Sequence, residues 1–580
     1  MKEMETRTVV VGSGCAGLNA ADWLYDLGER DFILLTEDMN SGTSRNTGSD
    51  KQTYYKLSLA GDEPDSIGSL AASLQYGDVN EDTALCEAAN STKCFYKLVL
   101  LGVPFPCNEY GEYAGYQTDH DTKRRATSAG PLTSRYMTEA LEQSVLNKGI
   151  HVLDHAVAFR ILTDNEGVKA LDCWLAEEHD WLRIWCAHVV LCTGGPAQIY
   201  RDSVYPESQH GMSGLAFEAG AGGANLNRWQ YGLASVAFRW NVSGSYQQVI
   251  PRYVSVDPEG REREFLTEEL GLAEALNMTF LKGYQWPFDE RKTDGSSRVD
   301  ILTKREIDRG CRVYMDFRVN PTGFSASLLN SEAAGYLASS GALQGTPIER
   351  LEAMNPQAIK LYLSHGIDLQ TDRLEVRVCA QHHNGGIAVD ADWQTCVPGL
   401  YTCGEAAGTF GKARPGGSAL NSTQVGSMRA AEHIARKSSR RVHRIQAEFC
   451  APDLPAGDAG ELMLEIQSEM SRVAAFQRDE EGMAFLLARD EKLLRNTTSA
   501  DLEEPNLRQR LMLKDALITQ REVLNAMLYA SRHSGEGILY TNNGTSRFAP
   551  PRTADKRELW FETVWRQYRS NQHHFSLSEH

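Results

Sequence analysis

The order of apolar and polar positions divides the chain into two styles of folding. Thr8–Val11 is an unbroken apolar run, Gly12–Gly17 a glycine-rich turn, and Leu18–Leu27 carries the three- and four-residue spacing of a helix. Phe32–Leu35 is a second apolar run, ending at Thr36-Glu37, so the start reads as a βαβ unit. Tyr136–Leu146 predicts a helix leading to a strand around His151–Leu153, and a strand-rich patch follows through Trp185. His188–Gly195 predicts a buried strand entering another glycine turn. After Gly223 the pattern turns irregular and aromatic, predicting an inserted domain over 224–367 between two segments of one α/β domain, 1–223 and 368–440. Residues 378–436 return to the strand-turn-helix style of the start. Glu461–Phe476 and Arg508–Tyr529 have amphipathic helical spacing and predict a helical domain over 454–540. The tail 541–580, with Pro550-Pro551, Trp560, Phe561 and Trp565, reads as an extended arm packed on the body or on a partner.

At 580 residues the chain is long enough for two or three cores. Its net charge of −18 argues against a nucleic-acid surface, which needs a basic stripe to displace counterions. A local basic pocket for an anionic cofactor and substrate remains compatible with that charge. Residues 1–12, MKEMETRTVVVG, carry no secretory pattern, and no run of about 18 apolar residues predicts a membrane span. A cytoplasmic protein is expected. The twelve cysteines contain no C-x-x-C pair, which argues against a zinc ribbon, a ferredoxin-type cluster and haem attachment. No metal site is read. Cys192, in VVLCTGG, reads as a small buried hydrophobe of a reduced protein.

Gly12-Ser13-Gly14-Cys15-Ala16-Gly17 follows a strand and opens a helix, the arrangement that lets a pyrophosphate approach the helix N-terminal amides. Thr36 or Glu37 then ends the second strand where a ribose ligand is expected. Thr193-Gly194-Gly195 and the stretch from Gly399 to Glu405 resemble the later motifs of two-segment FAD-binding folds, in which the acidic residue holds the ribityl chain. Each alone is also what an ordinary strand-end turn looks like. Three in this order favour FAD over a plain NAD-binding domain, which needs only the first. In Arg414-Pro415-Gly416-Gly417-Ser418-Ala419-Leu420, two glycines admit a ligand close to the backbone. Ser418 starts a helix whose positive end would face the flavin, and Arg414 is set to clamp a carboxylate.

With these motifs the chain resembles the flavoprotein subunit of the succinate dehydrogenase and fumarate reductase family, which includes L-aspartate oxidase and other enoate reductases. The likeness runs from about Thr6 to about Gly537. It implies an α/β fold: a two-segment Rossmann-like FAD-binding domain with an inserted α+β capping domain and a C-terminal helical domain. By resemblance, Arg414 matches the substrate-clamping Arg of R-x-G-G-x-S. His382 lies near the substrate His of H-x-x-x-G-G-I, one residue out of place, with Gln381 in the matching position. Arg298, in Ser296-Ser297-Arg298-Val299-Asp300, resembles the capping-domain proton donor. Asn46 stands where relatives hold the histidine that bonds flavin, which implies noncovalent FAD. Thr47, Gly48, Ser49 and Ala158 complete the implied cofactor contacts.

Three departures qualify the substrate. Q-F-H-P-T of dicarboxylate-using relatives reads Gln230-Tyr231-Gly232-Leu233-Ala234 here. T-E-G is replaced by Ile250-Pro251-Arg252-Tyr253, and T-G-D-G by Ser208-Gln209-His210-Gly211. The expectation is reduction of an α,β-unsaturated acid or ketone, with electrons from a separate protein or free reduced flavin, since no second nucleotide motif is visible. The rivals are an oxidase or dehydrogenase running the other way, and an electron-transfer subunit of a larger complex.

Overall fold

The computed structural model describes residues 1–532 except 61–63, 76–78, 119–120 and 413, and beyond them only the segments Leu539–Tyr540, Gly544–Arg547, Leu559–Trp565 and Ser576–Glu579. A five-stranded parallel sheet orders its strands as Leu400–Thr402, His188–Leu191, Thr8–Val11, Phe32–Leu35 and Val152–Leu153. Residues of its three central strands are buried throughout, as the unbroken apolar runs require of a sheet covered on both faces. Helix Cys15–Asp26 packs against Thr133–Asn147 and Ser418–Glu432. The sheet thus draws residues near 10, 190 and 400 into one layer.

A second sheet holds Ala156–Asp164, Gly167–Leu175 and Asp180–Trp185 antiparallel, with Lys2–Glu5 parallel along Asp180–Trp185. The inserted region forms a six-stranded sheet in the order Trp240–Asn241, Trp229–Ser235, Leu374–His383, Arg312–Asp316, Arg252–Val256 and Glu262–Arg263. Helices that include Phe265–Leu270 and Ser297–Asp308 pack on it, and Leu272–Lys282 packs on those helices. The long strand Leu374–His383 therefore belongs to the cap's own sheet, although it follows residue 367. Its first half pairs with Arg312–Asp316 and its last residues carry His382 toward the glycine-rich layer.

At the C-terminal end, Ala459–Val473, Glu480–Arg495 and Leu507–Arg532 form the helical unit. Ala459–Val473 buries Ile466, Met470 and Val473, the apolar positions at three- and four-residue spacing. The tail expected from residue 541 falls largely outside the described residues; where described, its segments pair with one another as strands. Among the described residues no helix is long and apolar enough to cross a membrane.

Candidate active site

One cavity of about 1030 Å³ runs from the glycine turn to the cap. Gly12, Gly14, Cys15, Ala16, Thr36, Glu37, Thr47, Gly48, Ser49, Ala158, Thr193, Gly194, Glu405, Gly417, Ala419, Leu420, His382 and Arg414 all line it. Segments separated by hundreds of residues meet there because the parallel sheet places every glycine turn at the same strand ends.

The cofactor end is backbone. Gly12 has φ +109°, and a Cβ there would meet the Cys192 carbonyl oxygen at 2.5 Å. Gly14 lies differently: a Cβ would find only Ser44 Oγ, at 3.3 Å, among nearby atoms. Gly14 therefore borders open cavity just where helix Cys15–Asp26 begins without a side-chain cap or an acidic residue in its first turn. Ser13 Oγ and Thr36 Oγ1 share a hydrogen bond of 2.8 Å, tying the turn to the second strand's end. Gln209 Nε2 donates to the carbonyls of Thr193 (2.7 Å) and Gly195 (3.0 Å), while its Oε1 accepts from Thr43 N (3.3 Å). Thr43 and Thr193 keep buried hydroxyls without partners. A cradle of helix-start amides, missing side chains and unpartnered hydroxyls fits a dinucleotide, with Ser44 Oγ accepting from Cys15 N at 3.3 Å. Glu37 is paired with Arg508 and lies 3.7 Å from His210, so the long helix Leu507–Arg532 closes this end and adds Met512 to the wall.

The second helix start repeats the design. Gly417 has φ +88° at the cap of Ser418–Glu432, and a Cβ would meet the Thr53 carbonyl oxygen at 2.7 Å. That helix too has no acidic residue in its first turn, so its positive end faces the cavity unopposed.

The far end is side chains. Arg414, half-buried, donates from Nη2 to Gln230 Oε1 at 2.8 Å and keeps a buried Nε without a partner. Loss of solvent lowers its pKa to about 10, which leaves it charged at neutral pH. Asn384 Nδ2 donates to the Gly411 carbonyl (3.0 Å), so its Oδ1 faces His382 Nδ1 (3.0 Å), and that nitrogen carries the proton. His382 Nε2 is then an acceptor without a partner. Burial and the Arg414 charge hold His382 well below the usual histidine range, so it is neutral. Glu405 Oε1 lies 3.9 Å from His382 Nε2 and accepts from the Tyr205 hydroxyl and from His383 N (2.9 Å). Burial pushes its carboxyl up to about 7.

Several of the expected residues do not line the cavity. Arg298 does not line the cavity. Its helix, Ser297–Asp308, buries Ser297, Val299, Asp300 and Leu302, which turns Arg298 outward, 36% exposed, to pair with Glu274 at 2.6 Å. Asn46 is exposed and donates to the Asn40 and Gly42 carbonyls, because the short helix Thr43–Asn46 directs it away from the cavity. Gly17 packs helix on turn: a Cβ there would strike the Gly12 carbonyl oxygen at 1.7 Å. Gly195 makes room for Glu405, whose Oε1 would lie 2.5 Å from a Cβ at that position. Ser418 is buried and donates to the Pro415 carbonyl at 2.9 Å.

Arg252 and Tyr253, in the replaced T-E-G segment, pair with Glu264 and Gln247 away from the cavity. Tyr231 points to the opposite face of its strand and bonds Tyr200 and the Ala474 carbonyl. Gln230, Gln381, Trp286, Gln209, Arg508 and Met512 have no place among the site residues expected from sequence. The retained Gln of Q-F-H-P-T was the available signal for Gln230; Trp286 and Met512 had none.

This combination of parallel sheet, paired glycine turns, cap and clamp defines a flavoprotein oxidoreductase. The sequence signature of an FAD binding domain matches residues 7–420, and the chain belongs to that family. L-aspartate oxidase of Streptomyces coelicolor is 26% identical over 457 residues, 77% of this chain and 71% of that protein. L-aspartate oxidase of Agrobacterium fabrum is 25% identical, covering 77% of this chain and 78% of that one. Among solved structures, Mycobacterium smegmatis Sdh1 in complex with UQ1 superposes with a TM-score of 0.71 at 18% identity, over 91% of this chain and 87% of that chain. E. coli quinol fumarate reductase FrdA gives 0.71 at 17% identity, over 100% and 97%. These likenesses establish the shared fold.

Proposed function

We propose that this FAD-dependent oxidoreductase reduces a carbon–carbon double bond conjugated to a carboxylate or ketone. The observation that carries the reading is Arg414, set beside the start of Ser418–Glu432 with an unpartnered Nε in the cavity wall. Bound FAD supplies the two-electron chemistry. Arg414 holds the conjugated oxygen and stabilises the enolate charge that develops on it, in a site preorganised by Gln230. His382, neutral and fixed by Asn384, lines the same end with Nε2 as an open acceptor, so the conjugated oxygen is left to Arg414. Arg298 is too far outside to deliver the proton. Glu405, poised near neutrality in the cavity wall, is the proposed proton source. Cap residues Phe280, Trp286 and Tyr336 line this end and would exclude water from it.

FAD is proposed to be noncovalent: the cavity-lining residues of the 41–49 loop include no histidine, and among the described residues the lining histidines are His210 and His382. Acid precipitation should release the yellow colour into the supernatant; flavin retained on the denatured chain would reject this.

The direction is tested anaerobically by reducing the purified holoenzyme and screening unsaturated acids and enones for reoxidation of the flavin. Reoxidation by none of them would end the reading. A second reading, oxidation of an amino acid, is favoured by the relatives named L-aspartate oxidase. Oxygen uptake with L-aspartate would select it.

A further inference from the structure

The clamp end of the cavity holds a second recognition group whose chemistry differs from the first. At Gly232, where dicarboxylate-using relatives carry histidine, there is no side chain, and the Trp286 indole covers the position. A Cβ at Gly232 would meet Trp286 Cε2 at 3.0 Å and Nε1 at 3.3 Å. The tryptophan is held there by its own segment: Phe288 N donates to the Tyr231 carbonyl at 2.7 Å, laying residues 286–288 along strand Trp229–Ser235. Trp286 lines the cavity, and its Nε1–H is buried without a hydrogen-bond partner. A buried indole N–H ordinarily finds an acceptor.

Gln381 lies on the neighbouring strand. Its Nε2 donates to the Gly232 carbonyl at 2.7 Å, which fixes the amide with Oε1 facing away from that carbonyl. That Oε1 is also buried, in the cavity wall, and without a partner. Beside Gly232 the protein therefore presents one donor and one acceptor, both uncharged. Positive charge is scarce: among the described residues lining the cavity the lysines and arginines are Lys51, which is exposed, and Arg414. The acids lining it are Glu37, Asp50, Glu332 and Glu405.

We propose that Trp286 and Gln381 form a neutral specificity pair, so that the substrate is a singly charged conjugated acid, or an enone, whose end remote from Arg414 is a hydroxyl or amide. Such a group accepts from Trp286 Nε1–H and donates to Gln381 Oε1. A second carboxylate satisfies the indole but faces the Gln381 oxygen with its own lone pairs, and loses hydration with no cation to compensate. The inference rests on the proposed chemistry at this site and names its substrate class.

Fumarate and its monoamide, fumaramate, test it because they share one shape and differ in charge and donor at one end. Binding to the oxidised holoenzyme is read by calorimetry, so the result does not depend on turnover. Fumaramate should bind about 10²-fold more tightly than fumarate, the scale set by an unpaired buried polar group. 4-Hydroxycrotonate should bind more tightly than crotonate for the same reason. Trp286→Phe keeps a ring over Gly232 and removes the N–H; it should weaken fumaramate about tenfold and leave crotonate unchanged. Fumarate binding as tightly as fumaramate would overturn the proposal. So would a Trp286→Phe protein, with flavin bound, in which the fumaramate-to-crotonate ratio is unchanged. If fumaramate binds as expected but does not reoxidise the reduced enzyme, the reductase reading fails while the recognition pair stands.

Discussion

The two ends of the cavity are built from different material. At the cofactor end, six consecutive residues, Gly12 to Gly17, supply a turn whose shape comes from absent side chains, and even Gly17 serves by not colliding with Gly12. At the clamp end, Gln230, Trp286, Gln381, His382 and Arg414 come from four segments: Arg414 is held by Gln230, Gln381 by the Gly232 carbonyl and His382 by Asn384. The first end fails when atoms are added. The second fails when particular atoms are removed. Electrostatics divide the same way, since the cofactor end offers helix starts and backbone amides while the clamp end offers one guanidinium, the Glu405 carboxyl poised near 7 and uncharged groups.

The largest effect is expected from adding atoms at the cofactor end. Gly14→Val should leave the protein folded but largely colourless, because its side chain enters open cavity rather than packed backbone. The overpacking, about 1–3 kcal/mol, weakens FAD by up to roughly 10²-fold. Flavin content after purification reads this directly, and full occupancy would remove the dinucleotide from that turn. Arg414→Lys keeps the charge and loses the planar fork, so FAD should stay bound while kcat/KM falls roughly 10²-fold, the scale of one lost oxyanion donor. Steady-state kinetics with any accepted substrate measure it, and unchanged kcat/KM would move the clamp elsewhere.

Glu405 gives a smaller, pH-dependent effect. Its carboxyl is raised from 4.5 to about 7, so the fold favours the protonated form. The resulting cost is absent below the unfolded value, grows as pH rises through this window, and is complete above about 7. Glu405→Gln should therefore stabilise the apo-protein by about 1–3 kcal/mol at pH 8 and leave it unchanged near pH 4. Thermal melts at the two pH values decide the matter, and an equal shift at both would refute the assignment.

The smallest effect belongs to Arg298. Its exposed pair with Glu274 contributes about 0–1 kcal/mol, so Arg298→Ala should keep flavin, fold and turnover within about twofold. A large loss of turnover would restore a catalytic role to the cap's arginine.

The glycine turns, the three central strands and two of the three C-terminal helices, Ala459–Val473 and Leu507–Arg532, were legible because each is a local pattern. Three or four consecutive apolar residues can only be buried on both faces, and the turn between them needs glycine whatever surrounds it. The place of Arg414 in the cavity wall was legible for the same reason, since it lies next to the glycines that start its helix. Arg298 was not. Its identity matched a motif, but which way it points follows from the rotation of Ser297–Asp308, set by burying Val299 and Asp300. Asn46 failed similarly, since the one-turn helix Thr43–Asn46 directs it outward.

By itself, then, the sequence determined the dinucleotide turn, the parallel layer and the position of the proposed clamp, all consequences of short-range sterics and hydrophobic period. Tertiary structure decided which polar side chains meet that clamp. Trp286 reaches Gly232 across a hydrogen bond between Phe288 and Tyr231, and Arg508 reaches Glu37 from the far end of the chain. Neither contact has a sequence period, because each is fixed by the packing of surfaces that come together only after the separate elements have formed.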